Sequence, residues 1–381
     1  MSITVGVLLP RSTDFPAMGF DILDGLKCCL HKEGIDDLRF VPENIGFGED
    51  RKEIYSKAEK CLLQDDAQVV VAYLSAENAA LLYPLFESTG RYLMVLDPGM
   101  NYPTESLSSN ALHISLQGIH ACYLAGRKAG SGGSDVILAT SFFDGGYRGP
   151  WACTRGLEEE GGKVVSNFVG HYKEEEFTVD PMVDALNTHT NARVAACFST
   201  YLATLFFKKM NQVDASFPET EYYCSSFMGE EQTMHTYSLP QGKFFTYVPW
   251  LSSLGLKSNE QFVAEVMLKK NKQANIFHVL GWEAGILIAQ ILSAPSGMEA
   301  EFNHLLEGGS YESPRGKVTI HPTTHIAYAP LYYCEMKKDE DGKNLLMIHD
   351  TVEISGDEHL QVLNDQPEGV TSGWFNNYLC T

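Results

Sequence analysis

Two histidines stand four residues apart at the end of the segment SPRGKVTIHPTTH, residues 313–325. On a helix, that spacing would bring His321 and His325 to one face, where two imidazole rings can share a metal ion. However, Pro322 directly follows the first histidine, and apolar and polar residues alternate before it. We therefore predict a short edge strand bounded by Pro314 and Pro322, with no metal site.

A second set of possible metal ligands or catalytic acids lies around the segment HYKEEEFTVD, residues 171–180, with Asp144 upstream. Such a run of charges in a loop is usually solvated. The chain contains none of the motifs HExxH, GxSxG and GxxxxGK[ST], and no GxGxxG follows a strand. We predict a protein that is not an enzyme, with no catalytic residue and no cofactor. An enzyme of unknown reaction is kept as an alternative.

The elements that must position any site alternate regularly in the first part of the chain. Strands are predicted at residues 3–10, 38–48 (with its exit loop), 67–75 and 91–99. The first is a continuous apolar run, which is typical of a strand covered on both faces. Each of the first three is followed by a segment with helical spacing of its apolar residues and with capping residues at its start. This alternation predicts a parallel, doubly wound α/β sheet with right-handed crossovers.

The pattern starts again at residue 134 and predicts a second open α/β unit. Strands are expected at 134–144, 163–171, 192–199, 221–226 and 243–251, with helices between the first four. Helices follow near 259–271, 274–295 and 297–309. A hairpin is predicted over 328–350 with its turn at DEDGK, and the tail 351–381 is predicted to be irregular, with two strands at most.

Length and composition limit the possible classes of protein. A chain of 381 residues exceeds one ordinary core, so two domains are expected. The formal net charge of −21 argues against nucleic acid or an anionic membrane as a partner, because both are polyanions. No run of about 18 apolar residues is present, so we expect no inserted membrane segment.

Cysteine usage and the first residues bear on the compartment. Nine scattered cysteines without a CxxC motif argue against a disulfide framework and favour a reducing compartment. The apolar run Ile3 to Leu9 is too short for the core of a signal peptide. The chain is therefore expected to be cytoplasmic if Met1 is the native start, and periplasmic or lipid-anchored and extracellular if an export signal has been removed.

Ligands of open parallel sheets bind beyond the carboxyl ends of the strands, where loops and helix N-termini converge. Here those loops include PRSTDFPAMG, YLSAEN, DPGMN, FFDGGYRG, FSTY and SSFMGEE, which are rich in Ser, Asn, Tyr and Gly. They contain no nucleophile and base at fixed spacing. The sequence thus favours a binding cleft between two such units.

Five segments together resemble the leucine/isoleucine/valine-binding family of type I periplasmic solute-binding proteins. They are ITVGVLLPRSTDFPAMGFDILDGLKCCL at 3–30, DPGMN at 97–101, DGGYRG at 144–149, SSFMGEE at 225–231 and GKVTIHPTTH at 316–325. The resemblance covers nearly the whole chain. It implies two Rossmann-like lobes with parallel-rich sheets, joined by a three-crossover hinge, with residues 1–118 plus 250–329 in one lobe and 119–249 plus 330–381 in the other.

The resemblance also implies the activity. Members capture a small polar solute, commonly an amino acid, by hinge closure and hand it to an ABC permease. Some relatives are instead sensors, including a cytoplasmic amide-sensing regulator, and a sensor of this kind is the main alternative.

Several residues of the first predicted lobe are candidate ligand contacts. Ser75 and nearby backbone N–H groups could hold a ligand carboxylate at the start of a helix, or Ser75 could be only the N-cap of that helix. Gly99 and Asn101 occupy a loop where the family offers small residues and a hydroxyl, and Asp97 there could reject an anionic ligand or accept from a cationic one. The further candidates are Met18, Tyr73 and Asn78, with Phe15 beside Met18.

In the second predicted lobe, Tyr147 and Tyr201 are expected to offer a flat apolar face and a hydroxyl to the ligand. Glu230 is the candidate acceptor for a ligand ammonium group, since a buried carboxylate needs a cation or donors. The alternative for Glu230 is a helix-start glutamate favoured by the helix dipole. Trp282 and His278 begin a long helix, where core packing is the main expectation for Trp282.

Overall fold

A computed structural model describes residues 3–101, 107–144 and 148–367. The chain divides into two compact units. Unit 1 runs to Leu116 and also includes Trp250–Pro330. Unit 2 comprises Gln117–Pro249 and continues from Leu331. The chain therefore passes from one unit to the other at three places among the described residues.

The sheet of unit 1 has eight described strands in the order β11-β12-β13-β5-β4-β3-β1-β2. From β13 to β2 all neighbours are parallel, whereas β11 and β12 form an antiparallel hairpin. The strands are β1 (Ile3–Leu9), β2 (Leu38–Asn44), β3 (Val69–Tyr73), β4 (Tyr92–Asp97), β5 (Ala111–Ser115), β11 (Ser310–Ser313), β12 (Gly316–Ile320) and β13 (Ile326–Tyr328).

Six helices accompany this sheet in the described part of unit 1. They are α1 (Met18–Lys32), α2 (Arg51–Leu63), α3 (Ala76–Thr89), α9 (Lys257–Lys270), α10 (Ile276–Ser293) and α11 (Met298–Leu306). α10 is the one described helix long and apolar enough to cross a bilayer, and most of its residues are buried in unit 1. A core helix of a globular unit meets the same criteria of length and composition.

The sheet of unit 2 has seven described strands in the order β15-β14-β10-β9-β8-β6-β7. From β10 to β7 all neighbours are parallel, and β14 and β15 add an antiparallel hairpin. The strands are β6 (Asp135–Ser141), β7 (Lys163–Gly170), β8 (Arg193–Cys197), β9 (Glu221–Cys224), β10 (Lys243–Val248), β14 (Leu331–Lys338) and β15 (Asn344–Val352).

The helices of unit 2 lie between and after these strands. They are α4 (Gly118–Gly130), α5 (Arg148–Glu159), α6 (Asp180–Thr188), α7 (Thr200–Met210), α8 (Glu231–Met234) and α12 (Gly356–Asn364). The predicted hairpin with its turn at DEDGK is confirmed, because β14 pairs with β15 and Asp339 Oδ1 accepts hydrogen bonds from the backbone N–H groups of Asp341 and Lys343. The α/β class predicted from the sequence is confirmed in both units.

Three predictions of local structure are incomplete or wrong. The alternation in sequence missed β5 and α4, since α4 follows Gln117 in the left-handed region (φ 57°) without a side-chain cap. The tail contains α12, whose capping box of Ser355 and Glu358 is a sequence signal that went unused. β12 is not an edge strand, because the short polar strand β11 pairs along its outer side.

In each unit, two helices cross so closely that glycines of one helix lie against backbone atoms of the other. In unit 1, a Cβ on Gly25 would lie 2.1 Å from the carbonyl oxygen of His278, and one on Gly281 would lie 1.9 Å from that of Ile22. In unit 2, the corresponding distances are 1.9 Å from Gly126 to Cys153 and 2.1 Å from Gly156 to Tyr123. Only glycine permits so close an approach of α1 to α10 and of α4 to α5.

Candidate functional site

The first candidate loop of unit 1 leads from β1 into α1. Met18 opens α1 and is buried, and its backbone N–H donates to the carbonyl oxygen of Phe15 (3.0 Å). The hydroxyl of Ser12 accepts from the N–H of Phe15 (3.0 Å). The ring of Phe15 packs edge-on against Phe277 of α10 (centroids 5.1 Å apart). The loop is thus folded back on α10, and Phe15 is a core residue of unit 1.

Ser75 and Asn78 stand beyond the carboxyl end of β3, with Tyr73 fully buried as the last residue of that strand. The hydroxyl of Ser75 accepts from the N–H of Asn78 (3.3 Å), which confirms Ser75 as the N-cap of α3. The side-chain amide of Asn78 donates to the carbonyl oxygen of Gly48 (2.8 Å) and so joins α3 to the loop after β2. Ligand contact by these residues stays a prediction.

A chain of buried hydrogen bonds holds the loop after β4. Tyr83 of α3 contacts His113 Nε2 through its hydroxyl (2.7 Å), and His113 Nδ1 lies 3.2 Å from Asp97 Oδ2. Asp97 Oδ1 accepts from the N–H of Gly99 (2.6 Å), where φ is +73°. Both carboxylate oxygens of Asp97 therefore serve internal donors, and the residue orders the loop that leads to the half-buried Asn101.

His278 and Trp282 belong to the interior of unit 1. Trp282 is buried and packs edge-on against Phe262 (5.1 Å), which confirms the expected core packing. His278, Asp21 and Asp24 have ligand atoms within 4.8 Å of one another. Lys272 Nζ lies 3.0 Å from Asp21 Oδ1 and 3.2 Å from Asp24 Oδ2. Lys270 Nζ lies 2.8 Å from Asp24 Oδ1. Because two ammonium groups already pair with the two carboxylates, we assign no metal to this cluster.

The histidines of the opening segment lie in the turn that joins β12 to β13. His325 N–H donates to the carbonyl oxygen of His321 (2.8 Å), and His325 adopts a left-handed conformation (φ 52°). His321 Nδ1 accepts from the N–H of Thr323 (3.2 Å), and His325 Nδ1 contacts the carbonyl oxygen of Ser108 (3.1 Å). The two rings thus stabilise a turn, and they form no metal-ligand cluster with other described residues.

Unit 2 places a buried carboxylate beyond the carboxyl end of β6. Asp144 Oδ2 accepts from the hydroxyl of Ser141 (2.6 Å) and from the N–H of Ser199 (3.0 Å), which follows β8. Burial raises the pKa of Asp144 to about 6. In the sequence analysis Asp144 is one of a set of possible metal ligands or catalytic acids. Its link to Ser199 instead joins the ends of β6 and β8.

Glu230 lies beyond β9 and caps the short helix α8. One carboxylate oxygen, Oε2, accepts from the N–H of Thr233 (3.1 Å), so the expected helix-start role is confirmed. Burial, with a smaller contribution from the neighbouring charge of Glu231, raises the pKa of Glu230 to about 7. In the described part of the chain, no lysine, arginine or histidine forms an ion pair with it. The carboxylate is thus buried without a counter-ion among the described residues.

Of the two tyrosines predicted to contact the ligand, Tyr201 lies in the described part of the chain. Tyr201, the second residue of α7, is 47% exposed and lies beside Glu174. Tyr147 lies outside the described residues.

The acidic segment 171–180 is on the surface, where His171 pairs with Glu176 (3.2 Å) and Glu174 with Lys208 (2.8 Å). Neither of these surface pairs includes Asp144.

Two cavities of about 460 and 470 Å³ lie beside α9 of unit 1. Trp282 lines the first, and Lys27 and Phe40 line the second. Neither cavity contains any of the nine residues predicted to bind ligand. The candidate contacts are instead distributed over the carboxyl ends of the two parallel sheets, as expected for open α/β sheets.

Two parallel-rich α/β sheets, linked by three passages of the chain and carrying polar loops beyond their strand ends, define a two-lobe type I solute-binding fold. A family model described as "Periplasmic binding protein" matches residues 2–343. The chain therefore belongs to the periplasmic binding protein family. No curated protein sequence matches it.

Solved structures agree with this family at low sequence identity. An ABC transporter substrate-binding protein from Sphaerobacter thermophilus is 15% identical with a TM-score of 0.78, over 92% of this chain and 97% of that one. A solute-binding protein from Rhodopseudomonas palustris BisB5, in complex with 3,4-dihydroxybenzoic acid, is 16% identical with a TM-score of 0.73 over the same shares. LivJ from Streptococcus pneumoniae, in complex with isoleucine, is 13% identical with a TM-score of 0.66, over 92% and 99%. At these identities the likeness concerns the fold alone.

Proposed function

We propose that the chain is the solute-binding component of an ABC importer. It captures a small polar solute that bears an ammonium group, an amino acid or close analogue, and delivers it to a membrane permease by closure of two lobes around the ligand. The single observation that supports this ligand class is Glu230, a buried carboxylate that no described cation neutralises. A ligand ammonium group would supply the missing charge and donors.

The unit 1 part of the proposed site is the set of loops after β1, β3 and β4. Two helices begin in these loops, α1 at Met18 and α3 after its N-cap Ser75, with Tyr73 before the cap and Asn78 in the first turn. Backbone N–H groups and the helix dipole favour a ligand carboxylate at such helix starts. Gly99 and Asn101 follow the loop that Asp97 orders. In unit 2, Tyr201 accompanies Glu230 as a proposed contact, since its exposed ring can cover a ligand.

A thermal-shift screen of amino acids, amides and small carboxylates tests the proposal. A ligand present at about 100 times its Kd adds about 2.7 kcal/mol to the stability of the folded protein, so its melting temperature rises. We expect an amino acid or amide to give such a shift, and chemical recovery of that ligand unchanged would argue against catalysis. If no amino acid or amide raises the melting temperature, the proposed ligand class is wrong.

The affinity for an amine-bearing ligand is expected to rise about tenfold between pH 6 and pH 8, because Glu230, whose pKa is about 7, must be ionised to pair with it. Glu230→Gln should weaken that ligand and remove this pH dependence, while an amine-free analogue should respond to neither change. Isothermal titration calorimetry across this pH range measures both effects.

Glu219→Gln, which removes a charge from an exposed position of unit 2, is the matched control and should change neither affinity nor pH profile. Equal weakening of the amine-bearing and the amine-free ligand by Glu230→Gln would remove Glu230 from the proposed role.

A cytoplasmic sensor of the same fold is a second candidate, favoured by the cysteines. The eight described cysteines are all buried free thiols, and burial raises the pKa of Cys61 to about 11 and that of Cys334 to about 12. Buried thiols of this kind need no oxidising compartment. Cell fractionation separates the two candidates, because an importer component is found outside the cytoplasmic membrane and a sensor of this type inside it.

A further inference from the structure

Among the buried polar atoms of unit 2 that have no hydrogen-bond partner in the described part of the chain, three lie beyond the carboxyl ends of strands. They are Asp144 Oδ1, Thr200 Oγ1 and Ser225 Oγ. Their residues are 2%, 7% and 4% exposed. A buried polar atom without a partner costs free energy, and native structures keep few of them unless a ligand or water supplies the bond. Three of them at one edge of a sheet indicate a site.

The three residues follow three strands that lie side by side, β6, β8 and β9, with β8 in the middle. Asp144 is joined to Ser199, which directly precedes Thr200 at the start of α7. The N–H of Ser225 donates to the carbonyl oxygen of Ala196 in β8 (2.8 Å). Glu230 follows Ser225 by five residues, across the short helical turn Ser226–Gly229. The buried carboxylates of Asp144 and Glu230 therefore lie beyond the carboxyl ends of β6 and β9, the two strands that flank β8.

We propose that Asp144 binds a second cationic nitrogen of the ligand, so that this protein selects organic cations with two positively charged nitrogen groups. The inference rests on the proposed function, in which Glu230 takes the first ammonium group, and it narrows the ligand class. Basic amino acids and aliphatic diamines have the required chemistry.

The hydrogen bonds of Asp144 favour a cation over a neutral or anionic group. Its Oδ2 already accepts from Ser141 and Ser199, whereas its Oδ1 accepts from nothing described. Cys197, the titratable side chain that interacts with it among the described residues, is a buried thiol that cannot neutralise a carboxylate. An ammonium group carries three protons and could donate to Oδ1 and to the hydroxyls of Thr200 and Ser225.

Exposed aromatic rings border the same loop. Phe142 and Phe143 separate β6 from Asp144 and are 68% and 41% exposed, and Tyr172 beside them is 40% exposed. The ring of Phe143 lies 5.0 Å from that of Tyr172 and 5.9 Å from that of Phe142. Aromatic faces attract organic cations through their quadrupole. This surface is therefore suited to the approach of a positively charged solute.

L-ornithine and L-norvaline form a matched pair of probes, because they share a carbon skeleton and differ by the terminal amino group. We expect calorimetry at pH 7.5 to show ornithine binding at least tenfold more tightly than norvaline. 1,4-Diaminobutane should likewise bind at least tenfold more tightly than 1-aminobutane. Equal or weaker binding of the doubly charged member of both pairs would overturn the inference.

The pH dependence of the ornithine preference provides a test that needs no variant. Aliphatic amines stay protonated between pH 5 and pH 7, while Asp144, with a pKa of about 6, ionises over this range. Glu230 and its neighbour Glu231 affect both probes alike. The ratio of the norvaline Kd to the ornithine Kd should therefore rise about tenfold from pH 5 to pH 7. A constant ratio would contradict a role for Asp144.

Asp144→Asn should lower the affinity for ornithine at least tenfold and change the affinity for norvaline by less than about twofold. Asp184→Asn, the same change at an exposed position of α6, is the control and should leave both affinities unaltered. Loss of both ligands to the same extent in Asp144→Asn would assign the residue to structure alone.

The outcomes separate this inference from the proposed function. Tight binding of isoleucine or 4-hydroxybenzoate, with no preference for ornithine, would overturn the two-cation class and leave solute capture intact. Absence of binding by every amino acid, amine, amide and carboxylate tested would overturn both.

Discussion

Arg315→Met is expected to lower the free energy of unfolding of unit 1 by about 3–5 kcal/mol, because it leaves Glu283 as an uncompensated buried charge. Both side chains are fully buried. The guanidinium group grips the carboxylate at two points, with Nε 2.7 Å from Oε1 and Nη2 2.8 Å from Oε2. Its Nη1 also donates to the carbonyl oxygen of Ser115 at the end of β5 (3.1 Å). One side chain thus connects the turn after β11, the helix α10 and the central sheet.

Urea unfolding followed by circular dichroism and tryptophan fluorescence measures this loss. Arg51→Met is the control, since Arg51 pairs with Glu77 on the surface (3.0 Å) and such pairs contribute at most about 1 kcal/mol. The double variant Arg315→Met with Glu283→Leu should recover part of the loss, because both charges are removed together. If Arg315→Met were as stable as Arg51→Met, the buried ion pair would not contribute to the stability of unit 1.

Gly281→Ala is expected to destabilise unit 1 by about 3 kcal/mol, at the upper end of the cost of overpacking. The added Cβ would lie 1.9 Å from the carbonyl oxygen of Ile22, a backbone atom that cannot turn aside. α1 and α10 must therefore separate. Helix propensity alone would favour alanine by about 1 kcal/mol at this position, so the sign of the effect distinguishes the two contributions.

Gly19→Ala in α1 is the matched control for this prediction. A Cβ there would meet Leu9 at 3.4 Å or more, which is ordinary contact, so we expect no loss of stability. Thermal and urea unfolding of the two variants compare them directly. If Gly281→Ala were as stable as Gly19→Ala, the close approach of α1 and α10 would not matter. The glycine pair Gly126 and Gly156 offers the same test in unit 2.

The amino-acid sequence by itself determined the class of the fold, because local patterns carry that information. Buried parallel strands appear as continuous apolar runs, and helices as periodic ones, within 10 to 20 residues. Capping roles can be predicted at the same range, and those of Ser75 and Glu230 are confirmed. The order of the loops beyond the strand ends then sufficed to indicate the family. The sequence does not distinguish a sensor from an importer component, because the two differ in their partner protein, which is a separate chain.

Tertiary structure decided which side chains are occupied by partners within the chain. From the sequence Asp97 could reject an anionic ligand or accept from a cationic one, yet His113 and the N–H of Gly99 engage both of its oxygens. Arg315 is one basic residue in a short polar segment until Glu283 and Ser115 enclose it, the latter 200 residues away in the chain. Hydrogen bonds and charges are satisfied in space, so residues distant in sequence determine whether a polar group is free for a ligand. The same reason leaves Asp144 and Glu230 as the candidates for binding one.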